Sequence, residues 1–579
     1  MQTISKAIQR NWLPQDFKVS SWEELAPWFE NLTNRDLDNE ADLLNWLKDS
    51  SELEAILQED LAWRYIKMSC DTQNKELVEH FNYFIAHISP KISEYENKLL
   101  QKYWDCPLRT ALDPEDFKTH NLRVQKELEL FRKENIQLRS EVEIKAQEYD
   151  AITGAATIEY EGKELTLQQA SAYLEKPQRE VREKIWRLIA ERRLQDAAKL
   201  DNLMNELIQL RTKIAKNAGF QSYSAYKFHE LGRFDYTPDT CRAFHEAIEI
   251  AVKPLAEKLV QLRKEKLGVE RLHPWDLSVD IWGEEPLQPF SSAEELTEKA
   301  IATLQKVKPA YGEVLQTMRQ MNHLDLASRK GKAPGGYNYP LYETGIPFIF
   351  MNAVGTQNDL TTIIHEAGHA VHAVLTKDLP LNTFKDTPSE VAELASMSME
   401  LISMPHWNVF YENEQDLKRA QIQQITRSVT MLPWIATVDA FQWWIYDHPS
   451  HTPTERNSIW LDFYRRFHGE GIDWTGLDHI RRYQWQRQLH IYTVPFYYIE
   501  YGFAQLGALQ IWKNYTEDPE KALQQYEAAL RLGYKRSITE IYATAGVDFS
   551  FTPDSIVELV NFVESQLQKL GVNIAHISI

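Results

Sequence analysis

Residues 356–372 read TQNDLTTIIHEAGHAVH, and the spacing inside this stretch governs how the rest of the chain is read. His365 and His369 are four apart, and residues so spaced lie one above the other on the same face of an α-helix. Two imidazoles placed in this way can share one tetrahedral Zn²⁺. Glu366 is turned by about 100° from His365 and falls beside the metal, where it can hold and deprotonate a water. Upstream, Thr356 and Asp359 have the spacing of a capping box, so the motif is predicted to lie well inside a helix. Gly368 costs about 1 kcal/mol against alanine in a helix interior, which calls for a close approach by another backbone or by a substrate. His372 shares the face but lies about 10 Å further along the axis than His365. That is too far to share an ion, so packing or a supporting hydrogen bond is its expected part.

A catalytic zinc needs a third protein ligand and one open position. Residues 386–400 read DTPSEVAELASMSME. Thr387 as N-cap, Pro388 at the first helical position and Glu390 three after the cap predict a helix start. Glu390 is then a capping residue and Asp386 lies outside the helix. Glu393 stands two turns in among small and apolar neighbours, where a solvated surface charge is unnatural. It is the expected third ligand, 24 residues after His369. Glu400 lies seven further along on the same face. It is read either as orienting a metal-bound histidine or as a member of an ordinary helix-face ion pair.

The wider composition agrees with a large helical protein. At 579 residues the chain exceeds one compact core. Its 43% hydrophobic share is ample for folding, and only 21 glycines favour helices over turn-rich sheet. The net charge of −20 argues against nucleic acid or an anionic membrane as the main partner; it favours cationic ligands weakly and solubility strongly. No stretch approaches the ~20 apolar residues of a membrane span, and Met1–Asn11 lacks the apolar core of a signal peptide. Three widely spaced cysteines, Cys70, Cys106 and Cys241, form neither a disulfide framework nor a cysteine zinc site, and fit a reducing cytoplasm.

The first third reads as helical. Val124, Leu128, Phe131, Leu138 and Val142, with Asn135 in the gap, form a heptad-like stripe expected on one arm of a long helical hairpin that packs on its own lobe. Residues 156–160 and 164–167 flank Glu161-Gly162-Lys163 as a small β-hairpin. Residues 270–290 read as an irregular connection, 332–337 as a loop, and 346–352 as a short apolar strand. A mainly α protein with a small sheet beside the motif helix is expected.

The sequence resembles the thimet oligopeptidase and oligoendopeptidase F metallopeptidases. The resemblance runs through Gly335 and Gly336, PFIFMN at 347–352, HEAGHAVH at 365–372, VAELASMSMEL at 391–401 and HIYTVPFYYIEY at 490–501. The hairpin region and the helical stretch after it are similar to the bacterial oligoendopeptidase F branch. The resemblance implies a two-lobed helical, zincin-type peptidase with a deep substrate channel, with residues 1–190 as the N-terminal helical lobe and 191–579 as the catalytic domain.

It also implies one Zn²⁺ held by His365, His369 and Glu393, with Glu366 activating water and His490 and Tyr501 stabilising the oxyanion, Tyr498 beside them. The animal thimet-type pattern places its tyrosine one residue further on, in a glycine-rich loop. Here Pro495-Phe496-Tyr497-Tyr498 replaces those glycines, which leaves open which of Tyr497, Tyr498 and Tyr501 faces the substrate. Short unstructured peptides are the implied substrates, cut at internal bonds. The apolar strand at 347–352 is expected either to pair with the peptide backbone or to be buried core. Two rival readings are a dipeptidyl carboxypeptidase, which needs a cationic anchor such as Arg481, Arg482 or Arg487, and a non-catalytic peptide-binding protein. Oligomeric state is not legible.

Overall fold

A computed structural model describes residues 10–329 and 331–577; most of Met1–Asn11, read above for a signal peptide, lies outside them. The chain is mainly helical, and its interior divides into an N-terminal core and larger cores further along. Helix α1 (Glu40–Cys70) begins at Asn39, whose side chain accepts from the Asp42 N–H, a cap that satisfies one of the free amides of the first turn. Its apolar face, with Leu43, Trp46 and Leu53, packs into the N-terminal core. That core is completed by Leu381 and Phe384, far along the chain.

The single stripe expected over 120–145 is instead two helices, α2 (Lys118–Leu130) and α3 (Lys133–Gly154). Phe131 and Arg132 are both extended and break the helix without glycine or proline, so nothing in the local chemistry announced it. Asn135, in the gap of the stripe, is buried. Its Nδ2 donates to Ile214 O at 3.0 Å and its Oδ1 accepts from Asn217 Nδ2 at 2.8 Å, which fixes α3 against a later helix. The hairpin is present: β1 (Thr157–Tyr160) pairs antiparallel with β2 (Lys163–Thr166). The two-residue turn has φ 51° at Glu161 and 72° at Gly162, the left-handed pair that a tight hairpin requires.

Helices α4 (Arg179–Gln195) and α5 (Ala197–Asn217) follow, so the boundary expected at 190/191 falls within α4. The core containing Leu138 and Tyr149 of α3 also takes in Leu203, Tyr446 and Tyr492, and so draws on both sides of that position.

The second sheet has the order β3-β5-β4, from β3 (Leu324–Ala327), β4 (Tyr337–Tyr339) and β5 (Phe348–Ala353). β5 is parallel to β3 and antiparallel to β4. The apolar strand is therefore the central one, with both edges taken. It is core and cannot add a peptide strand; β3 and β4 are the edges. The remaining elements used below are α6 (Gln357–Thr376), α7 (Ser389–Ser403), α8 (Glu414–Asp447), α9 (Leu489–Thr493) and α10 (Tyr498–Glu517). α7 is buried on nearly every side, as its all-round small and apolar sequence dictates, and it packs between α6 and α10.

The segment joining α6 to α7 is held by the N-terminal part of the chain. Asn382 N–H donates to Ser51 Oγ at 2.6 Å, and Asp386 accepts from Arg123 at 2.5 Å. Among the described residues no helix is long and apolar enough to cross a membrane.

Candidate metal centre

Helix α6 starts at Thr356 with the expected capping box, the Thr356 hydroxyl accepting from the Asp359 N–H and the Asp359 carboxylate from the Thr356 N–H. His365 and His369 therefore fall on one face, with ring centroids 4.9 Å apart. α7 brings Glu393 up to them, its Oε2 3.3 Å from His365 Nε2 and 3.8 Å from His369 Nε2. Ligand atoms of the three residues all lie within 4.8 Å of one another.

Gly368 explains how the helices come so close. A Cβ there would sit 2.6 Å from Ser396 Cα and 3.1 Å from Ala395 O, both backbone atoms of α7. Gly368→Ala gains about 1 kcal/mol of helix propensity but overpacks against atoms that cannot swing away, at about 1–3 kcal/mol. Urea unfolding is expected to show a net loss of stability; a more stable variant would mean that α7 does not pack here.

The start of α7 differs from expectation. The helix begins at Ser389 with Pro388 as N-cap and no side-chain cap. Glu390 does not cap; it is buried and accepts from Tyr236 OH at 2.5 Å. Glu400 takes the position behind the histidine, its Oε1 2.6 Å from His365 Nδ1. Its other oxygen accepts from Gln424 Nε2 at 2.6 Å, and Gln424 Oε1 accepts from Thr361 at 3.2 Å. His372 is buried, hydrogen-bonded to the Leu530 backbone, and pushed down to about 3 by burial; it takes no part in the trio.

The donor set suits a dication. Glu366, Glu393 and Glu400 are only 6%, 4% and 8% exposed, and among the described residues no lysine or arginine forms an ion pair with any of them. Such concentrated negative charge is costly without a cation. Burial works against ionisation of Glu393, but the His365 hydrogen bond and the His369 charge outweigh it and hold the carboxyl down at about 2. Burial also opposes charge on His365, yet its bonds to Glu393 and Glu400 keep it well above the ordinary imidazole value. His369 goes the other way, down to about 4 through burial. Burial pushes the Glu366 carboxyl up to about 7. Two imidazoles and a carboxylate, with one histidine oriented by a second carboxylate, are the ligand chemistry zinc takes.

The trio opens onto a cavity of about 360 Å³. One wall is edge strand β4, whose Asn338 side chain donates to the Glu366 carbonyl at 3.1 Å. Another is the turn before α10. Phe496 has φ 67°, a strained conformation for a bulky residue, held by its own N–H to Gln442 and its carbonyl to Arg233. This turn sends Tyr497 and Tyr501 to the cavity. Tyr497 OH donates to Glu393 Oε1 at 2.9 Å, and Tyr501 OH lies 3.3 Å from His490 Nε2. Tyr498 is not among the residues lining the cavity; its ring packs 5.0 Å from that of His490.

The His490 tautomer follows from its neighbours. Trp434 Nε1–H donates to Gln488 Oε1 at 2.9 Å, which turns the Gln488 amide nitrogen to His490 Nδ1 at 2.8 Å. Nδ1 is thus the acceptor, and the ring proton sits on Nε2, towards Tyr501. The model for peptidase family M3 matches residues 172–558, and that for the peptidase M3 N-terminal domain matches residues 14–131. The chain belongs to peptidase family M3.

Within it, oligopeptidase PepF of Bacillus subtilis (strain 168) is 22% identical over 330 residues, covering 55% of this chain and 47% of that protein. An oligoendopeptidase F homolog of Lactococcus lactis subsp. lactis (strain IL1403) is 25% identical over 346 residues, covering 55% of this chain and 52% of the relative. The chain spans about half the length of these sequence relatives. The solved structure of PZ peptidase A with inhibitor 2 is similar throughout, with a TM-score of 0.92 and 27% identity over 96% of this chain and 99% of that one. All the site residues named above lie inside the stretch matched by the M3 model.

Gln424, Gln488 and Trp434 were not singled out from sequence, whereas Tyr497 was named there as one of three tyrosines that could face the substrate. The sequence did not reveal that Tyr497 would bond to Glu393.

Proposed function

We propose that this M3-family chain is a zinc-dependent endopeptidase of short, unstructured peptides. The observation that carries the reading is the convergence of His365, His369 and Glu393 beside the buried Glu366. These three residues would hold the ion through Nε2, Nε2 and a carboxylate oxygen. A zinc held there supplies a Lewis acid that polarises the scissile carbonyl and brings the pKa of a water near neutrality. Glu366 takes the proton of the attacking water and delivers it to the leaving amine. His490 Nε2–H and Tyr501 OH donate to the carbonyl oxygen as it becomes negative. Burial, with the charge of Glu393, keeps the Tyr501 phenol far above its ordinary value, so it stays a donor. Tyr497 anchors Glu393, and Glu400 orients His365. The free edge of β4 is where an extended peptide would add as a strand. Three unpaired cysteines support a reducing, cytoplasmic location.

The test is mass spectrometry of a pool of short peptides incubated with purified protein, with and without a zinc chelator. Internal cuts that the chelator stops and added zinc restores are expected. Cuts confined to two residues from the C-terminus would replace this reading with the dipeptidyl carboxypeptidase. Binding without products from zinc-loaded protein would leave only a peptide-binding role.

A further inference from the structure

A neutral imidazole carries its proton on one nitrogen and a lone pair on the other, so the partner at Nδ1 decides what Nε2 can do. Two histidines of the cleft have opposite partners there. His365 has a carboxylate behind it, with Glu400 Oε1 2.6 Å from Nδ1. That oxygen can only accept, so Nδ1 keeps the proton and Nε2 is left for the ion. His490 has an amide donor behind it instead, with Gln488 Nε2 2.8 Å from Nδ1. Among the described residues the ring nitrogens of His490 meet only Gln488 and Tyr501.

Trp434 of α8 holds the amide in that sense. Its indole N–H can only donate, and it donates to Gln488 Oε1 at 2.9 Å. A turned amide would set two donors against each other. The indole is itself fixed: its ring meets that of the buried Trp460 edge-on, centroids 5.3 Å apart, and the Arg487 guanidinium lies 4.6 Å from its centroid. The surroundings of His490 favour the uncharged ring. Tyr497, Tyr498 and Tyr501 stand around it with centroids at 5.8, 5.0 and 5.6 Å. The Glu393 charge reaches it from α7, but burial outweighs that attraction and pushes the imidazole down to about 4.

We propose that Gln488, oriented by Trp434, is a positioning residue that commits His490 to the neutral form with its proton on Nε2, so that the oxyanion is met by an uncharged donor that persists at alkaline pH. The proposal rests on the peptidase reading. It makes a specific demand on one substitution. In Gln488→Glu the carboxylate still accepts from Trp434 but also needs a donor at His490 Nδ1. The neutral ring must then turn its Nε2 lone pair towards the carbonyl oxygen. Only the imidazolium, which the new charge favours and lower pH supplies, regains the Nε2–H.

The experiment compares zinc-loaded full-length wild type, Gln488→Glu and Gln488→Leu on a peptide with a mapped cut, each rate taken as a ratio to wild type at the same pH. At about pH 9 the Gln488→Glu protein is expected to lose about 10²-fold in kcat, the effect of removing one oxyanion donor, with KM little changed. Towards about pH 6 the ratio should recover by on the order of tenfold as the imidazolium forms. Gln488→Leu leaves Nδ1 bare, and its loss should be smaller and independent of pH. Wild-type kcat in Gln488→Glu, or a loss that is the same at every pH, overturns the assignment. Nitrogen-15 NMR of histidine-labelled wild type reads the tautomer without turnover, the His490 signals being assigned by their absence from His490→Asn. A proton on Nε2 is expected, and a proton on Nδ1 overturns the assignment. Protein that cuts no peptide yet carries the proton on Nε2 sinks the peptidase reading and leaves the tautomer standing.

Discussion

Glu366→Gln is expected to reduce peptide cleavage by at least about 10²–10⁴-fold, the range general acid–base catalysis supplies, while the zinc content is unchanged. The amide has nearly the carboxylate's shape but cannot accept the proton of the attacking water. Glu366 is not one of the three residues whose ligand atoms converge, so its replacement leaves that set in place. A buried carboxyl with no lysine or arginine partner becomes neutral, so the melting temperature should hold or rise. The pair of measurements is kcat/KM on a peptide with a mapped cut and metal content after dialysis. Activity near the wild-type level would remove Glu366 from the role given to it. Lost metal would mean that it helps to hold the ion.

Glu393→Ala should do the opposite, losing the metal first and the activity with it. The substitution removes one of the three convergent ligands and leaves Tyr497 OH without its acceptor. Changing a residue that merely supports a ligand typically costs about 10–100-fold in metal affinity, and loss of a ligand should exceed that. Competition against a chromophoric chelator measures it directly. Tight zinc binding by the variant would show that a residue other than Glu393 completes the site. The pair of variants separates the two functions of the cluster, since one keeps the ion without chemistry and the other keeps the base without the ion.

The chemistry-bearing helices were legible because their cause is local. Spacing placed His365 and His369 on one face, the Thr356–Asp359 box set the helix start, and the misfit of Gly368 announced a close neighbour. Glu393 stood out because a charge among small apolar residues needs a partner. What was lost depends on distant contacts. Gln424, Gln488 and Trp434 matter through hydrogen bonds to residues their own surroundings do not reveal. Glu390 looked like a cap because its spacing was right, yet the helix begins one residue later and its acceptor capacity goes to Tyr236. The apolar run at 346–352 has the same composition whether central or at an edge, so its unsuitability for peptide pairing waited on the sheet order. The tyrosines could not be sorted because the left-handed Phe496 gives no sign in a sequence where such turns usually carry glycine. The break at Phe131 and Arg132 was hidden because both take ordinary extended conformations that any residue adopts.

The hold of the N-terminal core on the segment between the two zinc-site helices bears on how the protein is made. Synthesis runs from the N-terminus, and domains generally fold as they emerge. The first core contains Leu381 and Phe384, so a nascent chain carries an open apolar face until those residues leave the ribosome. By then His365 and His369 have emerged but Glu393 is still inside the exit tunnel. Closure of the front of the molecule therefore falls between the two histidines and the third ligand, and it fastens the connection just before the last ligand arrives. Expressing residues 191–579 alone should yield a chain whose ligand segment has lost its clamp, so the N-terminal part is no detachable module.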